Sequence, residues 1–572
     1  MERIWSVKEK NSDKNTAESG EKYHPLIARL LSGRGISDQE ELEKFFRPDY
    51  ASGIHDTALF SDMEKAVARI IAAKGKEEKI AIFGDYDADG VTATALLFEV
   101  LQKFGHVGTE VYIPDRQLEG YGMNPEAISY LSGLGVKLII TVDCGITNVE
   151  EIEHAKKLGV DVIITDHHHA PKVLPEALAV INPHVVNCAY PFQNLAGVGV
   201  AFKLAQALYQ KIDPQNIEQL KWHLDLVAIG TIADCVPLLG ENRIIVKYGL
   251  VVLSKTRRPG LLEMFRVGRI LIDENNIPDT QKIAFQVSPR INAAGRMDHA
   301  NVSYKLIIEK DPAVARVMAL EVESKNQERQ KVTKEIVREV KIIAENSFKD
   351  KKLIFASNEH WQVGILGLIA GKIADEFNKP TIILQKQKNE FVGSLRSIPQ
   401  VNIIEALEKC SDLVIRFGGH AQAAGIRVAP DKIEEFYEKL SQIIEKELQG
   451  KDITPELEID AEIMAADIDW QLVSSIRKME PFGEGNEEPV FLLKNIIIED
   501  LRVVGNGSKH LKLALRAVSG SPKIFDAIGF SLGEKFPDLK KGDALDIVCN
   551  LQEDEWNGNK RIQLRIVDLR KK

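Results

Sequence analysis

The amino-acid sequence predicts an α/β protein. A mainly parallel-sheet domain is joined by a long helix to a second α/β domain, and a C-terminal β-barrel follows. Three observations carry this. Residues 61–250 alternate apolar strand-like and helix-like runs, the pattern of a doubly wound sheet. Residues 311–346 are charged, lack glycine and open on Asp311-Pro312, an N-cap followed by proline at the first helical position. After about residue 456 the strand-like runs become short and closely spaced.

Taken in order, residues 1–60 are polar and mixed and read as an arm laid over the first domain. The first domain spans 61–310. Its strand Lys79-Ile-Ala-Ile-Phe83 runs into Gly84-Asp85-Tyr86-Asp87-Ala88-Asp89-Gly90. Three carboxylates at the mouth of a buried strand are not there for packing, because a buried charge is costly unless paired or bound to metal. If this segment is extended, Asp85, Asp87 and Asp89 point the same way. Gly90 then lets the backbone turn sharply into an apolar helix, Ala93 to Phe104.

The arrangement repeats. Val136 to Val142 ends in Asp143, and Val160 to Thr165 ends in Asp166-His167-His168-His169. A second apolar helix, Leu224 to Ile232, stops at Asp234. Ligands of open α/β sheets gather at the carboxyl ends of the strands. Taken singly, Asp143 or Asp234 also suits a helix N-cap or a turn. Together they suggest one shared metal site, and oxygen-rich donors with a few imidazoles suit Mg2+ or Mn2+.

The connecting helix is placed at 311–346 and the second α/β domain at 347–450, with strands near Leu353–Ala356 and Thr381–Leu384 and a helix from Ile365 to Phe377. The run Phe417-Gly-Gly-His-Ala-Gln-Ala-Ala-Gly425 suits either close backbone approach to a ligand, with His420 reaching a phosphate or a base, or a tight helix-packing turn. The last domain, 456–572, reads as a small barrel or sandwich of the OB type.

Composition narrows the class. The net charge is −10, yet residues 501–572 hold 14 Lys/Arg against 9 Asp/Glu, a net of +5, which leaves −15 for the rest. A basic barrel suits a single nucleic-acid strand, and metal ions reverse the potential of an acidic site. No apolar run reaches the roughly 18 residues of a membrane span. The N-terminus lacks a signal-peptide core. Five scattered cysteines show neither zinc spacing nor a disulfide framework. A reducing cytoplasm and no membrane partner are expected.

These motifs resemble those of the DHH phosphoesterase superfamily. The residues that carry the likeness are Gly84 to Gly90, Asp143, Thr165-Asp-His-His168 and Asp234. The match is closest to the RecJ branch, the 5′→3′ single-strand-specific exonucleases. It extends over Ile113 to Arg116, Glu119 to Gly122, Ser288 to Arg296, Ser394-Leu-Arg396 and Gly418 to Gly425, and Pro481 to Asn486 resembles the lead-in to the RecJ OB domain.

The resemblance implies a single-stranded-DNA exonuclease of recombination and repair that releases mononucleotides by two-metal phosphodiester hydrolysis. Asp85, Asp87, Asp143, His167 and Asp234 would hold two divalent ions, Mn2+ or Mg2+, with Asp89 and His168 close by as catalytic residues. His168 would contact the scissile phosphate or orient water. Asp166 is either a third catalytic group or a partner that fixes an imidazole tautomer.

Arg116, Ser394 and Arg396 would form a pocket for a 5′-terminal phosphate, and Tyr121 would stack against or block a terminal base. Arg290, Asn292 and Arg296 would hold the strand backbone, although any single arginine also suits an interdomain salt bridge. Implied partners are single-stranded DNA, a single-strand-binding protein and a repair helicase, with the chain a monomer. Two other readings stay open: a DHH phosphodiesterase for short oligonucleotides or cyclic dinucleotides, and a non-catalytic replication scaffold.

Overall fold

Five parallel strands, in the spatial order Glu110–Tyr112, Lys79–Gly84, Val136–Val142, Asp161–Thr165 and Ala179–Ile181, form the first sheet of the computed structural model. The structure describes residues 3–8, 24–505, 509–518, 523–556 and 558–572. Ile80, Ile82, Phe83, Ile139, Ile140 and Ile163 are fully or almost fully buried. Each such side chain contributes about 1.5–3 kcal/mol on removal from water, so this register is strongly specified. The register aligns Gly84 with Val142, Val142 with Thr165, and Thr165 with Ile181. The residues that follow, Asp85, Asp143 and Asp166, therefore leave one sheet edge side by side.

The helix after the first strand starts earlier than expected. It spans Ala88–Lys103, and the Asp87 side chain caps it by accepting the N–H groups of Asp89 and Gly90 at 2.9 and 3.1 Å. Asp87 and Asp89 thus lie on a cap and a first turn, with Asp85 in the loop directly after the strand. Gly90 serves a different need from the one expected. A Cβ there would stand 2.6 Å from the Asp85 Cβ and from the Asp85 carbonyl oxygen. Glycine is required for close approach, not for a sharp turn.

The connecting helix is Pro312–Ser347, and Asp311 caps it through the N–H groups of Ala313 and Val314 at 2.7 and 3.3 Å. The second sheet runs in the order Arg416–His420, Ala423–Val428, Phe391–Arg396, Thr381–Lys386, Ile354–Asn358. Only the last pair is parallel. Helix Val363–Phe377 packs with Ile336 and Val340 of the connecting helix against Ile354, Ala356 and Ile383. Helices Ile403–Glu408 and Ile433–Glu447 pack on the other face through Leu407, Phe436, Leu440 and Ile444. The small-residue run around His420 is an edge hairpin and not a helix-packing turn.

Residues 52–453 make one compact unit, and 1–51 with 454–572 make the other. The segment 1–60 expected as an arm over the first domain is thus divided, with 52–60 grouped with that domain and 1–51 with the C-terminal unit. Strand Ile4–Val7 pairs in parallel with Glu456–Ile459. Trp5 Nε1 donates to Asp568 at 3.0 Å, and the Arg570 guanidinium lies 4.1 Å from the Trp5 ring centre. Residues 9–23 of the expected arm lie outside the described residues.

The barrel strands are Phe491–Val504, His510–Ala517, Ile524–Gly529, Ala544–Trp556 and Asn559–Lys571. The first pairs with the second and the fourth, the second with the third, and the fifth with the fourth and, in parallel, the third. That is OB topology. Among the described residues no helix is long and apolar enough to cross a membrane.

Candidate metal centre and phosphate site

The sheet edge assembles the acidic residues. Ligand atoms of Asp85, Asp87 and Asp143 lie within 4.8 Å of one another, as do those of Asp89, His167 and Asp234, and those of Asp143, His167 and His168. His167 Nε2 stands 3.1 Å from Asp143 Oδ1 and 3.6 Å from Asp234 Oδ2. Asp143 adopts φ 61°, in the left-handed region that aspartate tolerates better than most residues, which aims its carboxylate across the edge.

Burial and mutual repulsion set the protonation. Burial and the neighbouring Asp87 push Asp85 well above the usual carboxylate range. Burial, then Asp89, Asp87 and Asp85, do the same to Asp143. Asp234 is pushed up to about 9 by burial and by Asp89, Asp87 and Asp85. Asp89 rises to about 7, chiefly by burial and the Asp87 charge. Burial and His168 lower His167 to about 4, so its ring is neutral and free to donate a lone pair.

Four buried atoms here have no hydrogen-bond partner among the described residues: Asp85 Oδ1, Asp143 Oδ1, His167 Nε2 and Asp234 Oδ2. Buried unsatisfied groups are rare and call for a reason. Carboxylates that raise one another, beside a neutral imidazole and with unpartnered oxygens facing inward, fit divalent cations.

Two of the expected catalytic carboxylates have other bonds. Asp166 Oδ2 accepts the Ile146 N–H at 2.9 Å, and its Oδ1 takes His168 Nδ1–H at 2.8 Å and the His167 and His168 N–H groups at 2.7 and 3.1 Å. Burial opposes its charge, but the His168 bond and charge together with the Ile146 and His168 N–H groups outweigh it and lower Asp166. Burial likewise opposes the His168 imidazolium, and Asp166, with the charges of Asp85 and Asp87, outweighs that and raises it.

Both oxygens of Asp89 accept backbone N–H groups, from Gly197 at 2.6 Å and Val198 at 2.9 Å, at the start of helix Gly197–Ile212. The sequence reading missed this link. Its signal is Gly197-Val-Gly199, small residues opening an apolar helix. It also missed Asn182, whose Nδ2 donates to the His168 carbonyl at 2.9 Å and whose Oδ1 accepts the His184 N–H at 2.7 Å.

Opposite charge stands beside the acids. Arg116 lies over the Tyr86 ring at 4.7 Å. Arg296 Nη1 donates to the Gly364 carbonyl at 3.3 Å, and Arg396 Nη1 to the Leu395 carbonyl at 2.8 Å. Among the described residues none of these three arginines has a carboxylate within ion-pair distance. Burial, and then repulsion from Arg116, Arg329 and Arg396, lowers Arg296 to about 9, against an opposing pull from Asp87. Arg396 is lowered by burial and by Arg116.

A Cβ on Gly367 would meet Arg396 Nη2 at 2.8 Å and Ser394 Oγ at 3.4 Å, so glycine makes room for that pair. Ser394 pairs with Gly425. His420 shares a cross-strand row with Ala423 and Arg396, two strands from the arginine, on the same face about 10 Å away.

Three other candidates have structural partners. Arg290 forms an ion pair with Glu323 at 2.7 Å and donates to the Gln286 carbonyl. Asn292 Oδ1 accepts the Ala88 N–H at 2.8 Å, which ties its helix to the acidic loop. The Tyr121 hydroxyl donates to the Asp143 carbonyl and lies 3.1 Å from His168 Nδ1, while 41 % of the residue stays exposed.

Comparison with known proteins matches the DHH family N-terminal domain over residues 79–231, the DHHA1 domain over 350–446 and the RecJ OB domain over 459–568. The single-stranded-DNA-specific exonuclease RecJ of Bacillus subtilis is 38 % identical over 568 residues, covering 99 % of this chain and 70 % of that protein. Its Escherichia coli K12 counterpart is 32 % identical, covering 96 % of each. The crystal structure of Thermus thermophilus RecJ in complex with Mn2+ superposes with a TM-score of 0.83 at 27 % identity, covering all of this chain and 80 % of that one. The Mg2+ complex gives 0.77 at 25 % identity, with 78 % of that chain covered. The order of domains, the metal-binding edge and the relatives agree, and this chain belongs to the RecJ family of single-stranded-DNA-specific exonucleases.

Proposed function

We propose that this chain degrades single-stranded DNA from its 5′ end to mononucleotides, in recombination and repair. One observation carries the reading: a cluster of buried carboxylates with unpartnered oxygens lies beside arginines that, among the described residues, lack a carboxylate partner, Arg116 acting on Asp85 and Asp87 on Arg296. The first suits metal ions and the second suits phosphate.

Asp85, Asp87, Asp143, His167 and Asp234 hold two ions, Mn2+ or Mg2+. When bound, the ions supply Lewis-acid stabilisation of phosphoryl oxygens and a more acidic attacking water. Asp166 holds Nδ1–H of His168, so the remaining N–H of that imidazolium donates to the scissile phosphate. Asp89 fixes the helix behind the site. Arg116, Ser394 and Arg396 take the terminal 5′-phosphate, and the exposed Tyr121 ring meets the terminal base. Arg296 and His420 hold the following backbone, while Arg290 and Asn292 position the helix that carries Arg296.

The basic OB-type unit adds affinity for single-stranded DNA. A single-strand-binding protein and a repair helicase are the proposed protein partners of a cytoplasmic monomer.

The test is the order of label release from a single strand in Mn2+ or Mg2+. A 5′ label should appear at once as a mononucleotide and a 3′ label last. Early release of the 3′ label would reject the proposed polarity.

A further inference from the structure

We propose that Arg329, on the connecting helix, is a substrate-binding residue that works with Arg296 to hold an internal phosphodiester of the strand, beyond the terminal-phosphate pocket of Arg116 and Arg396. The inference rests on the reading above and deepens it.

The helix pattern is the first support. Asn326, Arg329, Thr333, Ile336 and Val340 recur at spacings of three and four, so they share one face of helix Pro312–Ser347. Ile336 and Val340 pack against Ile365, Leu366 and Ile369. Toward the N-terminus the same stripe is polar at Thr333, Arg329 and Asn326, of which Asn326 and Thr333 are only 1 % and 3 % exposed, before it returns to the buried apolar Val322, Ala319 and Ala315. An amphipathic seam does not turn polar at buried positions without a polar object to meet.

The second support is what these groups lack. Among the described residues Arg329 Nε, Thr333 Oγ1 and Gln362 Oε1 are buried without a hydrogen-bond partner. Arg329 makes one side-chain bond, Nη2 to Asn326 Oδ1 at 2.9 Å, and among the described residues no carboxylate lies within ion-pair distance of it. Gln362 sits at the N-cap of helix Val363–Phe377, where backbone N–H groups favour an anion. Arg296 reaches the same helix start through the Gly364 carbonyl.

Charge then separates two positions. A terminal phosphate carries about two negative charges, which Arg116 and Arg396 match. Arg296 and Arg329 remain, and they repel one another. Burial, and then Arg290, lowers Arg329, whereas Arg116 is the arginine that acts on Arg396. Arg296, which Arg116 and Arg396 repel as well as Arg329, links the two groups, whereas Arg329 itself has Arg290 and Arg296 as its charged neighbours; the anion that Arg329 and Arg296 share is the next phosphate along the chain.

Full-length wild type, Arg329→Gln and Arg329→Lys should be compared by fluorescence anisotropy in EDTA, which keeps the strand uncut. The probes are a short 5′-phosphorylated oligodeoxynucleotide, its 5′-hydroxyl form, and three versions with a neutral methylphosphonate at the first, second or third internal linkage. In wild type, one of the three substitutions should cost about tenfold in affinity. In Arg329→Gln the unmodified strand should already bind about tenfold more weakly, and that same linkage should cost clearly less than it does in wild type, Arg296 alone remaining on the phosphate. Arg329→Lys should fall between, and it carries the cycle alone if the glutamine variant does not fold. Loss of the 5′-phosphate should cost all forms the same factor.

Additive effects at all three linkages would overturn the assignment. Non-additivity with the terminal phosphate would also overturn it and place Arg329 in the end pocket. A wild type indifferent to the 5′-phosphate would reject the end-recognition reading separately.

Discussion

Asp166 Oδ1 lies 2.8 Å from His168 Nδ1, and the same oxygen accepts the backbone N–H groups of both His167 and His168. One fully buried carboxylate therefore fixes the peptide that carries the two imidazoles and the tautomer of the second. Asp166→Asn should keep the fold and lower kcat about 10- to 100-fold, the usual cost of losing a group that orients a ligand. Circular dichroism with steady-state kinetics checks this, and an unchanged kcat would show that the contact is only structural.

The acidic cluster should destabilise the metal-free protein and stabilise the loaded one. Mn2+ at saturation should raise the Tm by on the order of a few degrees. Asp143→Asn should raise the Tm of the metal-free protein, because it removes one of the mutually repelling carboxyls, and should abolish the Mn2+ increment. Asp87→Ala and His167→Ala should reduce hydrolysis to the level seen in EDTA while leaving much of the DNA binding. Differential scanning calorimetry with and without Mn2+ decides the first pair of outcomes. A variant that still gains the full Mn2+ shift would remove Asp143 from the ligand set.

End recognition should follow Arg396. A charged hydrogen bond to phosphate is worth roughly 1.5–3 kcal/mol. Arg396→Ala should therefore cut the preference for 5′-phosphate over 5′-hydroxyl ends about 10- to 100-fold. Gly367→Ala should move it the same way, because the added methyl meets Arg396 Nη2 and Ser394 Oγ. Equal losses on both ends would make the arginine structural.

The sequence showed which residues end the strands, because long apolar runs of Ile and Val are unambiguous and the aspartates directly follow them. It also located the connecting helix to within a residue at each end, since Asp311 and Pro312 mark its start chemically. Two kinds of information were not legible. One was how a carboxylate would be satisfied: the Gly197 and Val198 N–H groups that engage Asp89 lie more than a hundred residues away in the chain. The other was which cations would be left over. Arg290 and Arg296 look alike in the motif, yet Glu323 pairs with one and the other has no such partner among the described residues. The N-terminal strand was misplaced because its parallel partner, Glu456–Ile459, lies about 450 residues on, and no local pattern points there.

The division into two units predicts a separable core. Residues 52–453 should fold and cut short single strands, whereas a cut at 451 in the full chain would strand the Ile4–Val7 segment without its partner. Affinity of the core for long strands should fall, and each lost phosphate contact should reduce the log–log salt slope by about 0.7. Anisotropy across a salt series measures both, and an unchanged slope would mean that the C-terminal unit does not hold DNA.

The central claim is that two divalent ions held by Asp85, Asp87, Asp143, His167 and Asp234 make this edge hydrolytic. Its most direct test is a titration of the metal-free protein with Mn2+, following heat of binding and cleavage of a 5′-phosphorylated single strand in parallel. The account predicts about two ions bound per chain and no cleavage until they are in place. Cleavage by the metal-free protein, or full activity with a single ion bound, would contradict it.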